Sequence, residues 1–274
     1  MTSQCDISVL LPSRGRTHIL KRSIESMVSL ADNADQIRFF VGLDQDDAVG
    51  KDYFLNVLQE ELNDQGIEFC AMEFAPMGYH NIHRYVNAMA KRSDSRWFVL
   101  WNDDAVMETA GWDTEICQHR SDLIQLLAFH THRDHPYSIF PVVPRSWVDC
   151  VGHFSLHHMY DAWLSQIAYM LDVWKRIDVH VLHDRHDLTG NNKDSTFKQR
   201  VSLEGRPQDP RDFHHISMLT QRWKETESLA AAMSQLGQDV SWWNAVKLGQ
   251  QDPWEKLAAN DVNQQMRQFR AQYL

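Results

Sequence analysis

The feature that most constrains the fold is an apolar run that ends abruptly in polar residues. Trp97 to Trp101 carries no charge and is rich in aromatic residues, which is typical of a strand buried on both faces of a sheet. Asn102, Asp103 and Asp104 follow it directly. Because ligands of open α/β sheets bind beyond the carboxyl ends of the strands, this junction predicts a site for a divalent cation and phosphate groups. A plain turn is the alternative, since Asn and Asp favour turns.

The first half of the chain alternates such apolar runs with helical patterns. Each run is short, and the residues after it repeat their apolar positions with the helical period. This alternation predicts the α/β class, with a mostly parallel central sheet flanked by helices. The strands expected before Trp97 are Ile7 to Leu11, Ile37 to Leu43 and Ile67 to Phe74, and the expected helices include Thr17 to Leu30 and His80 to Arg92.

Charged residues follow the first two strands. Arg14 and Arg16 flank a glycine just after the first strand, where a guanidinium is well placed to bind a phosphate or nucleotide. The second strand runs into Asp44, which is expected to accept hydrogen bonds from a base or ribose. For Asp46 and Asp47 we expect only a solvated turn and a cap for the next helix.

Composition narrows the class of protein. The chain has 274 residues, of which 43% are hydrophobic and 23% charged, and a formal net charge of -10, which describes a globular protein with little general affinity for nucleic acid. Its four cysteines are widely spaced, so neither a disulfide framework nor a zinc–thiolate site is expected. With no signal-peptide pattern and no run long enough to cross a bilayer, we expect a cytoplasmic protein.

Together these motifs resemble a known family. A strand leading into Pro-Ser-Arg-Gly-Arg from Pro12, a second strand ending at Asp44 and a central strand ending in Asn-Asp-Asp are similar to the glycosyltransferase A (GT-A) fold of family 2 nucleotide-sugar glycosyltransferases. Gly111-Trp112-Asp113 resembles a subset of these enzymes that includes phage-encoded ones. The resemblance implies a hexosyl- or pentosyltransferase, with manganese or magnesium held at Asp104 and the nucleotide-sugar bound by Pro12, Arg14, Arg16, Asp44, Asn102 and Asp103.

One position departs from the family pattern. The metal motif of the family is loosely Asp-x-Asp, and its first acid is Asn102 here. An amide oxygen can ligate a cation but carries no charge. Asp104 would therefore supply most of the negative charge that balances the cation.

The resemblance extends to the second half of the chain. In these transferases a Gly-x-Phe segment precedes the acid that acts as catalytic base at a helix start, and the matching acid is Asp161. A helix-start carboxylate that only interacts with the helix dipole is the alternative. A histidine beyond a late strand completes the metal site in many of these enzymes, which implies His183. With 15 histidines in the chain, a stray one at that position is also reasonable.

We expect one catalytic domain and an extension. Residues 1–204 are predicted to form the GT-A-like domain, with a nucleotide-binding half at 1–120 and an acceptor half at 121–204. Prolines after Gly205 mark a linker, and 205–274 are predicted to be a helical C-terminal extension. Its tryptophans, Trp223, Trp242, Trp243 and Trp254, are expected to be packing anchors.

A different motif supports a rival interpretation. His130 to His135 reads H-x-H-x-D-H after the apolar run Leu123 to Phe129, which resembles the dinuclear zinc site of metallo-β-lactamase-like hydrolases. Pro136-Tyr137 replaces the usual Gly-Gly, however, and the alternating first half does not match the β-rich start of such hydrolases. A non-catalytic sugar- or nucleotide-binding module is a third interpretation, which the missing charge at Asn102 supports.

The expected reaction is metal-dependent transfer, with inversion, from a nucleotide-sugar to an acceptor hydroxyl. The sequence does not identify the acceptor. The phage-like motifs make a hydroxymethylated base in DNA one candidate, whereas the net charge of -10 weakly opposes DNA. Glycans, lipids and proteins are the other candidates.

Overall fold

The chain folds around one mixed sheet. The structure, a computed structural model, describes residues 6–131, 135–185, 189–190, 198 and 213–253. The strands are β1 (Ile7–Ser13), β2 (Ile37–Asp44), β3 (Glu68–Phe74), β4 (Trp97–Leu100), β5 (Ala105–Met107), β6 (Leu126–Thr131), β7 (Pro141–Pro144) and β8 (Trp174–His183). Their order in the sheet is β3-β2-β1-β4-β7-β6-β8-β5.

The direction of the strands changes halfway across the sheet. β3, β2, β1 and β4 are parallel neighbours. β7 then runs antiparallel to both β4 and β6, β6 and β8 are parallel, and β5 is antiparallel to β8. The predicted α/β class is confirmed, and the sheet is mostly but not purely parallel.

Nine helices of the described part flank this sheet. They are α1 (Thr17–Ser29), α2 (Ala48–Tyr53), α3 (Gln59–Asp64), α4 (Ile82–Ala90), α5 (Trp112–Cys117), α6 (Arg145–Val151), α7 (Tyr160–Leu171), α8 (Ile216–Gln235) and α9 (Ser241–Lys247). A π-helical segment, Phe54–Leu58, joins α2 to α3, and short 3₁₀ turns lie at Ala34–Gln36 and Tyr79–Asn81.

The central strands are buried on both faces, as their continuous apolar runs predict. Successive side chains of a strand point to opposite faces. On β1, Leu10 belongs to a hydrophobic cluster with Val86 of α4 and Trp163 of α7. Val9 belongs to a second cluster, on the other face, with Ile24 of α1. Two cores therefore hold the sheet in place, and its loops at the strand ends are left to form a site.

The last described helices share the first of these cores. Trp223 of α8 and Trp243 of α9 lie 4.8 Å apart between ring centroids, and Trp242 donates its indole N–H to the carbonyl of Tyr169 at 3.1 Å. The predicted packing role of these tryptophans is confirmed. Trp254 and the predicted boundary at 204/205 lie outside the described residues, so the division into domains stays a prediction.

Two buried polar residues of α8, Arg222 and Glu225, hold this helix against α7. The guanidinium of Arg222 lies over the ring of Phe213, 4.0 Å from its centroid, and over that of Trp163 at 4.9 Å. Glu225 accepts the indole N–H of Trp163 at 2.8 Å. Burial raises the pKa of the Glu225 carboxyl to about 7, although hydrogen bonds from Trp163 and Gln221 oppose the rise.

Two further expectations concern the cysteines and the membrane. Cys117 is disulfide-bonded, which the sequence did not predict, because spacing along the chain does not show which cysteines meet in space. Cys70 and Cys150 are free thiols. No helix among the described residues has the length and apolarity needed to span a membrane.

Candidate active site

One cavity collects every residue that the glycosyltransferase resemblance assigned to binding or chemistry. It has a volume of about 330 Å³, near the lower end for small-molecule sites. It opens where β1, β2 and β4 end, the edge at which such sheets bind ligands. Its lining includes Pro12, Arg14, Arg16, Asp44, Asn102, Asp103, Asp104, Asp161 and His183.

Asp103 is held by Ser13, the last residue of β1, and by Arg16 of the loop that follows. Ser13 donates its hydroxyl to one carboxylate oxygen at 2.8 Å, and Arg16 donates to the other at 2.6 Å. Burial raises the pKa of Asp103 to about 6, and the charge of Arg16 limits that rise. Because both oxygens have protein partners, Asp103 fixes the β1 loop to the end of β4.

Asp104 and His183 form the pair best suited to a metal. The imidazole Nε2 of His183 lies 3.4 Å from Oδ1 of Asp104, and both residues are buried. Ala105 and His183 are register partners on β5 and β8, so the short antiparallel strand β5 brings the two ligands together. Burial alone would raise the pKa of Asp104, but His183 holds it below its ordinary value.

This donor set fits a divalent cation. One carboxylate and one imidazole leave most coordination positions to waters and to the phosphates of a ligand, which is how manganese and magnesium are commonly held. The guanidinium of Arg16 lies 3.5 Å from the second oxygen of Asp104, so a permanent positive charge already borders the same position.

Asn102 is engaged through its oxygen. The hydroxyl of Tyr160, at the start of α7, donates to Oδ1 of Asn102 at 3.1 Å. An amide oxygen has two lone pairs and the amide nitrogen carries two hydrogens. Beside this bond, Asn102 can therefore present its N–H groups to an oxygen atom of a ligand.

Asp44 borders the same cavity from the end of β2. It accepts hydrogen bonds from Arg14 at 2.6 Å and from the hydroxyl of Tyr85. Arg14 also pairs with Asp46, a contact that the sequence did not predict. Asp47 caps α2, as predicted, by accepting from the backbone N–H of Gly50 at 3.1 Å.

Gly42 of β2 also lines the cavity. A Cβ at this position would come within 3.2 Å of both the Tyr85 and Phe74 rings. Glycine therefore allows these two rings to pack against the backbone of β2 beside Asp44.

Asp161 lies in the first turn of α7 and reaches the same cavity. Burial raises the pKa of its carboxyl, while the backbone N–H of Ala162 and the charges of His135 and Arg185 oppose the rise. A carboxylate with a raised pKa accepts a proton more readily than an exposed one. The position of Asp161 at the cavity and its raised pKa therefore allow it to act as a base.

Other lining residues were missed by sequence reasoning. Arg185 lines the cavity and follows His183 in a run of charged residues, so its position at a strand end was a usable signal. Tyr85, Tyr160 and His158 also line it. They lie inside or beside helical patterns that look like ordinary packing, and nothing in the sequence marked them.

The Gly-Trp-Asp motif has a structural role. Asp113 accepts the backbone N–H groups of Asp32 and Asn33 at 2.9 and 2.8 Å, and Trp112 donates to the carbonyl of Met27 at 2.9 Å. Gly111 has φ 71°, and an added Cβ would lie 2.8 Å from a carboxylate oxygen of Asp32. The motif thus fastens α5 to the end of α1.

The rival histidine motif lies elsewhere. His130 and His135, its described histidines, do not line the cavity, and residues 132–134 lie outside the described part. His130 instead stacks on His180 of β8, with ring centroids 4.8 Å apart.

Comparison with known proteins identifies the fold. No protein-family model and no curated protein matches the sequence. Among solved structures, the chain is similar to the mannosyltransferase PcManGT from Pyrobaculum calidifontis in complex with GDP-Man and Mn²⁺, with TM-score 0.53, 10% identity, and coverage of 97% of this chain and 84% of that one. It is also similar to S. aureus TarS 1-349 in complex with UDP-GlcNAc, with TM-score 0.56, 11% identity, and coverage of 98% and 91%. The same TarS segment in complex with UDP gives TM-score 0.51 at 12% identity, with coverage of 96% and 91%.

These likenesses extend over nearly the whole chain. At such low identity they establish that the chain has a fold found in nucleotide-sugar glycosyltransferases, in agreement with the expected GT-A-like architecture. The activity has to be argued from the site.

Proposed function

We propose that the protein is a metal-dependent glycosyltransferase, which moves a sugar from a nucleotide-sugar donor to an acceptor hydroxyl with inversion at the anomeric carbon. The observation that carries the proposal is that Asp44, Asp104 and Asp161 line one cavity. These residues come from the end of β2, the end of β4 and the start of α7. Had they bordered separate cavities, a single reaction could not use them all.

The cavity residues form two groups in this proposal, one that binds the nucleoside and one that binds the diphosphate and the metal. Asp44 and Arg14, with Pro12 beside them, are proposed to bind the base and ribose. Arg16 and Arg185 supply positive charge near the diphosphate, and Asn102 donates its amide N–H to a donor oxygen. Asp103 holds Arg16 in place. A manganese or magnesium ion held by Asp104 and His183 would neutralise charge on the leaving diphosphate.

Asp161 is proposed to be the base. Its carboxylate takes the proton of the acceptor hydroxyl while that oxygen bonds to the anomeric carbon and the bond to the diphosphate breaks. Attack from the side opposite the leaving group inverts the anomeric carbon. The raised pKa of Asp161 favours this proton transfer, and the charge of Arg185 stabilises the carboxylate form.

Among the described residues, the lining of the cavity favours neither of the two rival functions. A dinuclear zinc hydrolase would need its histidine motif at the cavity, and His130 and His135 do not line it. A binding module without catalysis would not need Asp161 beside the metal pair. Turnover of a nucleotide-sugar separates this last alternative from an enzyme.

The acceptor and the cell compartment stay predictions. A hydroxymethylated DNA base and a glycan hydroxyl are both retained as acceptors, and a net charge of -10 weighs against DNA. A cytoplasmic location is retained from the sequence.

The test is a donor screen by thermal stability. The purified chain is heated with each of a panel of nucleotide-sugars, including GDP-mannose and UDP-GlcNAc, with and without Mn²⁺. A ligand at about 100 times its Kd adds about 2.7 kcal/mol of stability, which should raise the Tm by about 5–10 °C.

We expect one nucleotide to stand out, and only with the metal present. Asp104→Ala should remove the dependence on metal, and Asp149→Asn, which changes an exposed carboxylate on α6, should not. If no donor shifts the Tm, or if Asp104→Ala leaves the metal-dependent affinity unchanged, the proposal is wrong.

A further inference from the structure

A second group of metal-binding side chains lies on β6 and β8, away from the cavity. It consists of His130, Asp178 and His180, which we call the strand triad. One ligand atom from each lies within 4.8 Å of the others. The imidazoles of His130 and His180 are stacked at an interplanar angle of 12°, and Oδ1 of Asp178 is 3.2 Å from Nε2 of His180.

An irregularity in the strand pairing creates this group. Ala128 pairs with Arg176, but His130 pairs with His180 rather than with Asp178. The register therefore shifts, and β8 contributes extra residues around Asp178. Such irregularities re-aim side chains in many proteins. Here the shift sets two imidazoles side by side and leaves a carboxylate next to them.

The backbone of the triad is well fixed. The backbone N–H of His180 donates to the hydroxyl of Thr109 at 2.7 Å, and its carbonyl accepts from the N–H of Glu108 at 3.0 Å. Both residues belong to the segment just after β5. Ligands carried on paired strands need little reorganisation to bind an ion, which increases affinity.

The donor atoms select the kind of ion. Two imidazole nitrogens and one carboxylate oxygen match the three-ligand sets of zinc, with a water in the fourth position. Magnesium and calcium prefer sites made wholly of oxygen. His180 and Asp178 are exposed, so an ion can reach them from solvent.

The triad is distinct from the metal pair of the cavity. His183 is on the same strand but buried, whereas His180 is exposed, because successive side chains of a strand alternate between faces. None of the three triad residues lines the cavity.

We propose that the strand triad binds one zinc-type divalent ion, which clamps β6 to β8 independently of the donor site. The first histidine of the H-x-H-x-D-H sequence is then a metal ligand, but in a single-ion site completed from β8. This inference does not rest on the proposed glycosyltransferase activity.

The test uses the full chain, stripped of metal with EDTA and titrated with ZnCl₂ by calorimetry. Asp104→Ala serves as the starting protein, because it disables the metal pair of the cavity. We expect about one equivalent of Zn²⁺ on Asp104→Ala and none on Asp104→Ala with His180→Ala. Asp178→Asn should weaken binding at least about tenfold. His18→Ala, which removes an exposed histidine on α1, should have no effect.

A second measurement guards against misfolding. Without metal, His180→Ala should keep the Tm of its parent, and Zn²⁺ should raise the Tm of the parent alone. Co²⁺ should give the visible absorption of a tetrahedral site only when the triad is intact. Full Zn²⁺ binding by a folded His180→Ala variant, or no Zn²⁺ binding by the parent, would overturn the proposal.

Discussion

Replacing Asp161 by Asn is the most direct probe of the proposed chemistry. The two side chains have nearly the same shape, and the amide oxygen can still accept the backbone N–H of Ala162. The change removes the negative charge and, with it, the ability to take a proton. A positioned general base contributes about 10²–10⁴-fold to a rate, so kcat should fall by that factor, or by about 3–5 kcal/mol in activation free energy.

The pH dependence gives a second, independent signature. Because burial raises the pKa of Asp161, the acid limb of the wild-type kcat profile should lie above the range of an ordinary aspartate. Activity rises as the carboxylate loses its proton and then levels off. The Asn variant should lack this limb. Its residual rate should vary with pH only through other groups.

The assay follows release of the nucleoside diphosphate, with donor affinity measured separately by calorimetry. Donor Kd should stay within a few-fold of wild type, because Asp161 makes none of the proposed nucleotide contacts. Asp149→Asn is the matched control on a neighbouring helix. A kcat within tenfold of wild type, or a loss of donor binding that accounts for the whole loss of rate, would refute the assignment.

Two other changes test the structure around the site. Because burial raises the pKa of Glu225 from 4.5 to about 7, the folded state binds this proton more tightly than the unfolded state, so its contribution to stability is full below about pH 4.5 and is lost as pH rises to about 7. Glu225→Gln should remove about 3 kcal/mol of this pH dependence, measured by urea unfolding at pH 5 and pH 8; parallel curves for the two proteins would contradict it. Asn102→Asp replaces a hydrogen-bond donor by a second carboxylate beside Asp103. Because the lost N–H can no longer bind an oxygen of the ligand, nucleotide-sugar affinity should weaken about 10–100-fold. Calorimetry with the donor and Mn²⁺ checks this, and tighter donor binding would show that Asn102 is instead a weak metal ligand.

Much of the N-terminal half was predictable from sequence. The strands β1, β2 and β4 are largely apolar and almost wholly buried, and an apolar run of that length between turn residues predicts a buried strand. Parallel strands end at the same edge of a sheet, so polar residues that follow them must meet. That is why Asp44 and Asp103, far apart in sequence, could be assigned to one cavity.

The remainder depends on contacts that local sequence does not encode. The direction of β7 and the short strand β5 follow from long-range pairing, since a three-residue run such as Ala105–Met107 has no distinctive pattern. Tyr85 and Tyr160 reach the cavity from helices whose periodicity only marks them as partly buried. The disulfide at Cys117 likewise depends on spatial proximity.

The packing of Arg222 against aromatic rings bears on where the chain can be truncated. This guanidinium is sandwiched against Phe213 and Trp163, and Trp163 belongs to the helix whose first turn carries Asp161. A shortened gene product that stops at residue 204 would therefore expose the underside of α7 to water. For expression or crystallisation, the last helices should be kept, because removing them disturbs α7, the helix that carries the proposed base.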